Sequence, residues 1–286
     1  MARIEISGVG IEYELLGPEG AHCVSITPGG RMNKEAGGVR ELGEALARVG
    51  KRVLLWDRPN SGLSDWHFEG DNESAMQGHF LTQLIRALNL GPTALAGGSA
   101  GSRCTLLAAV QDPDIVSHLV QWWISGGTVS LMSLGASYDA DPAIAASMGG
   151  MAAVTGMVSF ADKVNRDPKG REQLLAQDPV KFIACMERWA EAFVPQKDSP
   201  VPGMSAADWG RLRMPVLIFR GSQNDMYHHR RITDWVHKLI PHSEYVDSPW
   251  DDEAFARRMT EAAQTGGSPL VDWPMLAPAI ADFTSR

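Results

Sequence analysis

Four stretches of this chain are predominantly apolar and too short to be helices: residues 23–27, 52–57, 93–96 and 119–124. A strand with one solvated face alternates apolar and polar side chains, so an unbroken apolar run marks a strand covered on both sides. Segments of helical period separate these runs. Residues 35–49 form one, and 74–90 another, with Phe80, Leu81, Leu84, Ile85 and Leu88 on a single stripe; 101–110 form a third. Buried strands joined by helices dictate an α/β fold with a mainly parallel sheet and helices on both faces.

The ends and the middle of the chain depart from this alternation. Residues 4–6 and 11–15 flank Gly8-Val9-Gly10 and read as a β-hairpin. From Ser125 to Arg213 the chain is helical and rich in methionine, broken by Asp141-Pro142, Asp167-Pro168, Asp178-Pro179 and Ser199-Pro200. Phe182, Met186, Trp189 and Phe193 fall at helical spacing there, a stripe expected to pack rather than to bind. The α/β pattern returns with a strand at 216–219, a helix at 231–240, a strand at 243–246 and terminal helices. The expected organisation is an α/β core of residues 1–124 and 214–286, interrupted by a helical cap of 125–213.

Charge and cysteine usage narrow the function. The formal net charge is -8 over 286 residues, which offers no basic field for nucleic acid or an anionic membrane. Arg230-Arg231 and Arg257-Arg258 are too short to be more than solvated helix faces. Cys23, Cys104 and Cys185 are scattered, without metal-ligand spacing, and point to a reducing, cytoplasmic setting. No uninterrupted apolar run reaches the roughly 18–20 residues of a membrane helix. Neither a metal nor an organic cofactor is expected, the partner being a small-molecule substrate; a homodimer is left open.

The chemistry centres on Gly97-Gly98-Ser99-Ala100-Gly101, between a short apolar strand and a helix. In G-x-S-x-G the turn is sharp, small residues relieve crowding, and the serine projects above the sheet at a helix N-terminus. With this motif the chain resembles the α/β-hydrolase superfamily, particularly capped members related to proline iminopeptidases and small esterases or lactonases. The resemblance runs through nearly the whole sequence and implies an eight-stranded sheet. Thr27-Pro28-Gly29-Gly30 resembles the family's His-Gly-Gly oxyanion loop, with Pro28 in the histidine position, and implies backbone donors at Gly30 and Ala100. Asp57-Arg58-Pro59-Asn60-Ser61-Gly62-Leu63-Ser64 resembles a second family turn, with Asn60 replacing a glycine. The strand at 216–219 leads into Gly221-Ser222-Gln223-Asn224-Asp225, where the family keeps its triad carboxylate; Asp247, Asp251 and Asp252 are weaker candidates.

The histidine departs from the pattern. The family places it after the last strand, yet no histidine follows His242, and Trp250 or Asp251 stands where it should be. A serine hydroxyl without a base is a poor nucleophile. Three readings stay open. His228, or its neighbour His229, supplies the imidazole from just beyond Asp225. Alternatively the pocket performs non-hydrolytic chemistry such as C–C cleavage, isomerisation or cyclisation. In the third, the protein binds a ligand without turnover. The expected substrate of a hydrolase here is an ester, lactone or activated C–C bond in a small apolar or aromatic molecule. Arg31 beside the oxyanion loop, Trp250 over Ser99, and cap methionines such as Met151 are the expected substrate contacts.

Overall fold

The computed structural model describes residues 2–286. Eight strands form one sheet: β1 (Ala2–Ile6), β2 (Val9–Leu16), β3 (Cys23–Thr27), β4 (Arg52–Trp56), β5 (Thr93–Gly98), β6 (Val116–Trp122), β7 (Val216–Phe219) and β8 (Glu244–Val246). Their spatial order is β1-β2-β4-β3-β5-β6-β7-β8. β1 pairs antiparallel with β2, and β2 with β4; every other neighbour is parallel. The unbroken apolar runs are explained by two cores, one per face. Along β7, Val216 and Ile218 point into one, Leu217 and Phe219 into the other. Leu54 against Val53 and Leu55 repeats the pattern in β4.

The helices α1 (Val39–Arg48), α2 (Glu73–Ala87) and α3 (Ala100–Gln111) follow β3, β4 and β5. The first helix begins four residues later than its periodicity suggests. Asn33 Oδ1 accepts the Glu35 N–H at 2.8 Å and bends the chain into a turn, and Gly38 at φ 92° is the residue before the helix. Glu41 then reaches back to the Gly38 N–H at 2.6 Å. The strand expected at 119–124 runs instead from Val116 to Trp122, because Trp123 turns left-handed at φ 46° and leaves the ladder.

Between β6 and β7 lie α4 (Thr128–Gly135), a π-helical turn (Ala136–Ala140), α5 (Asp141–Thr155), α6 (Val158–Arg166), α7 (Pro168–Leu175), α8 (Pro179–Glu191) and the short α9 (Ala206–Trp209). These helices are fastened over the C-terminal edge of the sheet. Trp66 Nε1 donates to the Gly170 carbonyl at 2.6 Å, Trp189 Nε1 to Gly70 at 3.2 Å, and Asn33 Nδ2 to Asp162 at 2.9 Å. The buried Lys163 ammonium donates to the carbonyls of Gly62 and Ser64. Phe182, Met186 and Trp189 are buried in the core that also holds Leu54 and Leu95. Joined end to end, 128–166 form a helical run long and apolar enough by composition to cross a membrane, which the sequence concealed behind Asp141-Pro142. A break at Gly149-Gly150 divides it. After β7 come α10 (Arg230–Leu239), then β8, α11 (Ala254–Thr265) and α12 (Ala277–Phe283).

Candidate active site

Ser99 sits between β5 and α3 with φ 57° and ψ -121°, a conformation that L-residues rarely adopt and that persists only where the surroundings enforce it. Its N–H donates to the Trp123 carbonyl at 3.0 Å, and its own carbonyl accepts from the Ser102 hydroxyl at 2.6 Å. Gly101 is required because a Cβ there would overlap the Thr27 carbonyl oxygen. Ala100 is the first residue of α3, so its N–H is among those a helix leaves without an intrahelical acceptor. Gly29 packs against the serine: a Cβ on it would lie 3.6 Å from Ser99 Oγ.

A second turn, after β7, carries two ionisable groups. Ser222 Oγ accepts the N–H groups of Asn224 and Asp225 at 2.9 and 3.2 Å. Asp225 Oδ1 in turn accepts those of Tyr227 and His228 at 2.8 and 3.2 Å. Gly221 allows the turn to close, since a Cβ there would collide with the His228 carbonyl. The local bonds leave Asp225 Oδ2 free to meet His228 Nδ1 at 2.6 Å, and His228 Nε2 lies 2.9 Å from Ser99 Oγ. Burial alone raises the Asp225 carboxyl, but its electrostatic and hydrogen-bonded contact with His228, with the two backbone donors, outweighs it and holds the acid below the usual carboxylate range. A carboxylate only accepts, so Nδ1 carries the hydrogen and Nε2 is left to accept from the serine hydroxyl. The imidazole is 3% exposed. Trp123 lies nearly parallel to it, 18° between planes and 5.6 Å between centroids, and Phe255 meets it edge-on at 4.8 Å.

Ser99 and His228 open into a cavity of about 270 Å³. Met32, Trp123, Leu134, Phe255, Met259 and Leu270 make its apolar walls; Ser133, Ser137, Tyr138 and Tyr227 add hydroxyl groups. Among the described residues lining it, none is Asp, Glu, Lys or Arg. Gly30 lines it as well, at φ 52°.

The three expected substrate contacts lie elsewhere. Arg31 is held by Glu73 at 2.7 Å and by the Tyr138 carbonyl at 3.2 Å; its guanidinium is committed within the protein because Glu73 compensates a nearly buried charge. Trp250 stands behind Trp123, with centroids 5.4 Å apart, and lines a different cavity with Arg220 and Asp247. Trp123, left-handed at φ 46°, lines the cavity with Ser99 where Trp250 was expected. Met151 is buried among helices, 5% exposed, in the core rather than in the cavity. The alternative acids are paired outside the site, Asp247 with Arg220, Asp251 with Arg257 and Asp252 with Arg230. His229 caps α10 by accepting the Arg231 N–H at 3.1 Å. Trp123, Tyr138 and Phe255 were missed by sequence reasoning, since no local pattern separates a cavity aromatic from a core one. The three cysteines are free and buried, and burial pushes each thiol up to about 12, so none competes as a nucleophile.

Residues 28–121 match the family described as the alpha/beta hydrolase fold. A human protein, serine hydrolase BPHL, is 24% identical over 250 residues, covering 84% of this chain and 75% of its own. The enol-lactonase from Burkholderia xenovorans LB400 superposes with a TM-score of 0.62 at 14% identity, covering 100% of both chains. Est816, described as an N-acyl homoserine lactone degrading enzyme, gives a TM-score of 0.61 at 15% identity over 99% of this chain and 100% of its own. The chain is an α/β-hydrolase-fold protein.

Proposed function

We propose that this protein is a serine hydrolase that cleaves an ester or lactone of a small, neutral, largely apolar molecule. The observation that carries the reading is the unbroken relay from Ser99 Oγ through His228 to Asp225, at 2.9 and 2.6 Å. Ser99 Oγ attacks the carbonyl carbon while His228 Nε2 takes its proton, and Asp225 stabilises the imidazolium. The carbonyl oxygen becomes negative against the N–H groups of Gly30 and Ala100, a setting in which one donor is typically worth about 3 kcal/mol. When the intermediate collapses, the alcohol leaves with the proton from His228, and Ser99 holds the acyl group. A water then loses its proton to His228 as it attacks the acyl carbon. The acid leaves, and Ser99 recovers its proton.

The cavity supports the substrate class. An apolar wall without a charged side chain penalises a substrate charge that would lose its hydration unpaired, whereas the four hydroxyl groups suit neutral oxygens. The serine hydrolase and lactonase descriptions of the human and bacterial proteins agree with this chemistry. A fluorophosphonate probe followed by intact-mass measurement tests it, alongside hydrolysis of p-nitrophenyl butyrate and a γ-lactone. One adduct on the wild type, none on Ser99→Ala, and a loss of roughly 10⁴-fold or more in kcat for that variant are expected. An unlabelled wild type, or turnover surviving in Ser99→Ala, would sink the proposal in favour of binding or non-hydrolytic chemistry.

A further inference from the structure

Tyr138 sits on the π-helical turn of the cap, and both segments that flank the oxyanion position hold it. Arg31, next to Gly30 in the chain, donates to the Tyr138 carbonyl at 3.2 Å and places its guanidinium carbon 5.4 Å from the ring centroid. Arg103, one helical turn beyond Ser99, lies 5.7 Å from the same centroid and is itself tied to Ser125 Oγ at 3.0 Å. Arg31 is kept in place by Glu73 at 2.7 Å. Phe193 closes the outer side of the ring, with centroids 6.2 Å apart. A cation over an aromatic face is attracted by its negative quadrupole, so the two guanidinium groups help hold the ring.

The phenol end faces the cavity. Tyr138 lines the cavity with Ser99 and Gly30, and its Oη lies 3.9 Å from where a Cβ on Gly30 would stand. Among the described residues this hydroxyl has no hydrogen-bond partner. A tyrosine hydroxyl on a held ring, facing the cavity and free of protein acceptors, can donate to an oxygen that arrives with the substrate.

The geometry points to Tyr138 as a catalytic donor: its hydroxyl hydrogen-bonds the substrate carbonyl oxygen and does so most strongly when Ser99 attack makes that oxygen negative. It acts with the N–H groups of Gly30 and Ala100, and no proton is transferred. The cap thereby completes a site whose other donors belong to the sheet. This inference rests on the reading of Ser99 as the nucleophile.

Tyr138→Phe isolates the hydroxyl, because the ring keeps its contacts with the two guanidinium groups and no protein acceptor loses a partner. On p-nitrophenyl butyrate its kcat is expected to fall on the order of 10- to 100-fold, below the cost of a backbone oxyanion donor, with KM within about twofold. The Ki of a trifluoromethyl ketone analogue is expected to rise by the same factor as kcat/KM falls, since only the tetrahedral adduct carries the oxyanion. If the fluorophosphonate labels Ser99 and Ser99→Ala is inactive, but Tyr138→Phe keeps kcat or changes KM alone, the Tyr138 assignment is overturned and the serine reading stands. A fall in kcat without a matching rise in Ki overturns the assignment too. Absence of labelling in the wild type removes both.

Discussion

The turns after β7 and β8 share one task in the resemblance and divide it differently in this molecule. Family members carry an acid on the first and a base on the second. Here the turn after β7 holds both, Asp225 and His228 three residues apart, while residues 247–253, between β8 and α11, hold Trp250 and four acids and line no part of the cavity. Asp252 instead braces the β7 turn. Its Oδ1 accepts from Arg230 Nη2 at 3.0 Å and from the Gln223 N–H at 3.2 Å. Its carbonyl takes the Ser222 hydroxyl at 2.5 Å, the same oxygen that accepts the Asn224 and Asp225 N–H groups. A triad is defined by where its atoms meet; in the proposed triad, the β8 segment supports the turn that carries both Asp225 and His228.

Moving the histidine back is the sharpest way to break this comparison. His228→Ala is expected to lower kcat by roughly 10³-fold or more, and Trp250→His added to it is expected to restore nothing, because Trp123 stands between position 250 and the cavity. Recovery of even a tenth of wild-type hydrolysis in the double variant would show that the β8 loop still reaches Ser99.

The bracing role predicts a smaller effect. Asp252→Asn keeps the fold but weakens the charge-assisted bond to Arg230, so the turn loosens and the imidazole drifts from the serine. A kcat loss of about tenfold follows, within the roughly 10²-fold that a 1 Å misplacement costs, with little change in KM. Asp252→Glu is expected to recover part of the loss. Unchanged kcat in Asp252→Asn would reduce the β8 segment to packing.

The smallest effect on activity concerns stability and lies in the π-helical turn between α4 and α5. Asp139 is 1% exposed, and neither carboxyl oxygen has a hydrogen-bond partner among the described residues. Burial, reinforced by the Glu73 carboxylate, pushes the acid up to about 8 against the pull of Arg31 and Arg103. The unfolded chain therefore releases its proton near the ordinary value of about 3.9, and the folded chain only near 8. Between those values the folded state binds more protons, so stability declines as pH rises and levels off above the folded pKa. Asp139→Asn removes that decline. It is expected to stabilise the protein by about 2 kcal/mol or more at pH 8 and by far less at pH 4, each unit of pKa difference being worth about 1.4 kcal/mol. Urea unfolding at the two pH values measures it, and an equal change at both would place the effect in packing.

The sequence by itself determined the sheet, because strands buried on two faces are mostly apolar with few polar interruptions, and that pattern is local. It made the elbow legible through the G-x-S-x-G spacing, although the space Gly101 must leave is set by the Thr27 carbonyl of the neighbouring strand β3. It brought Asp225 and His228 together as candidates because three residues of chain suffice for their hydrogen bond. The tertiary structure alone decided that the imidazole meets a serine 129 residues away. It also decided that Arg31 serves Glu73 and Tyr138, that Trp250 stands behind Trp123, and that Met151 is core. Those outcomes depend on how the cap and the β8 loop settle on the sheet. Side chains equally suited to a cavity or a core are assigned by which neighbour arrives, and residue type does not carry that information.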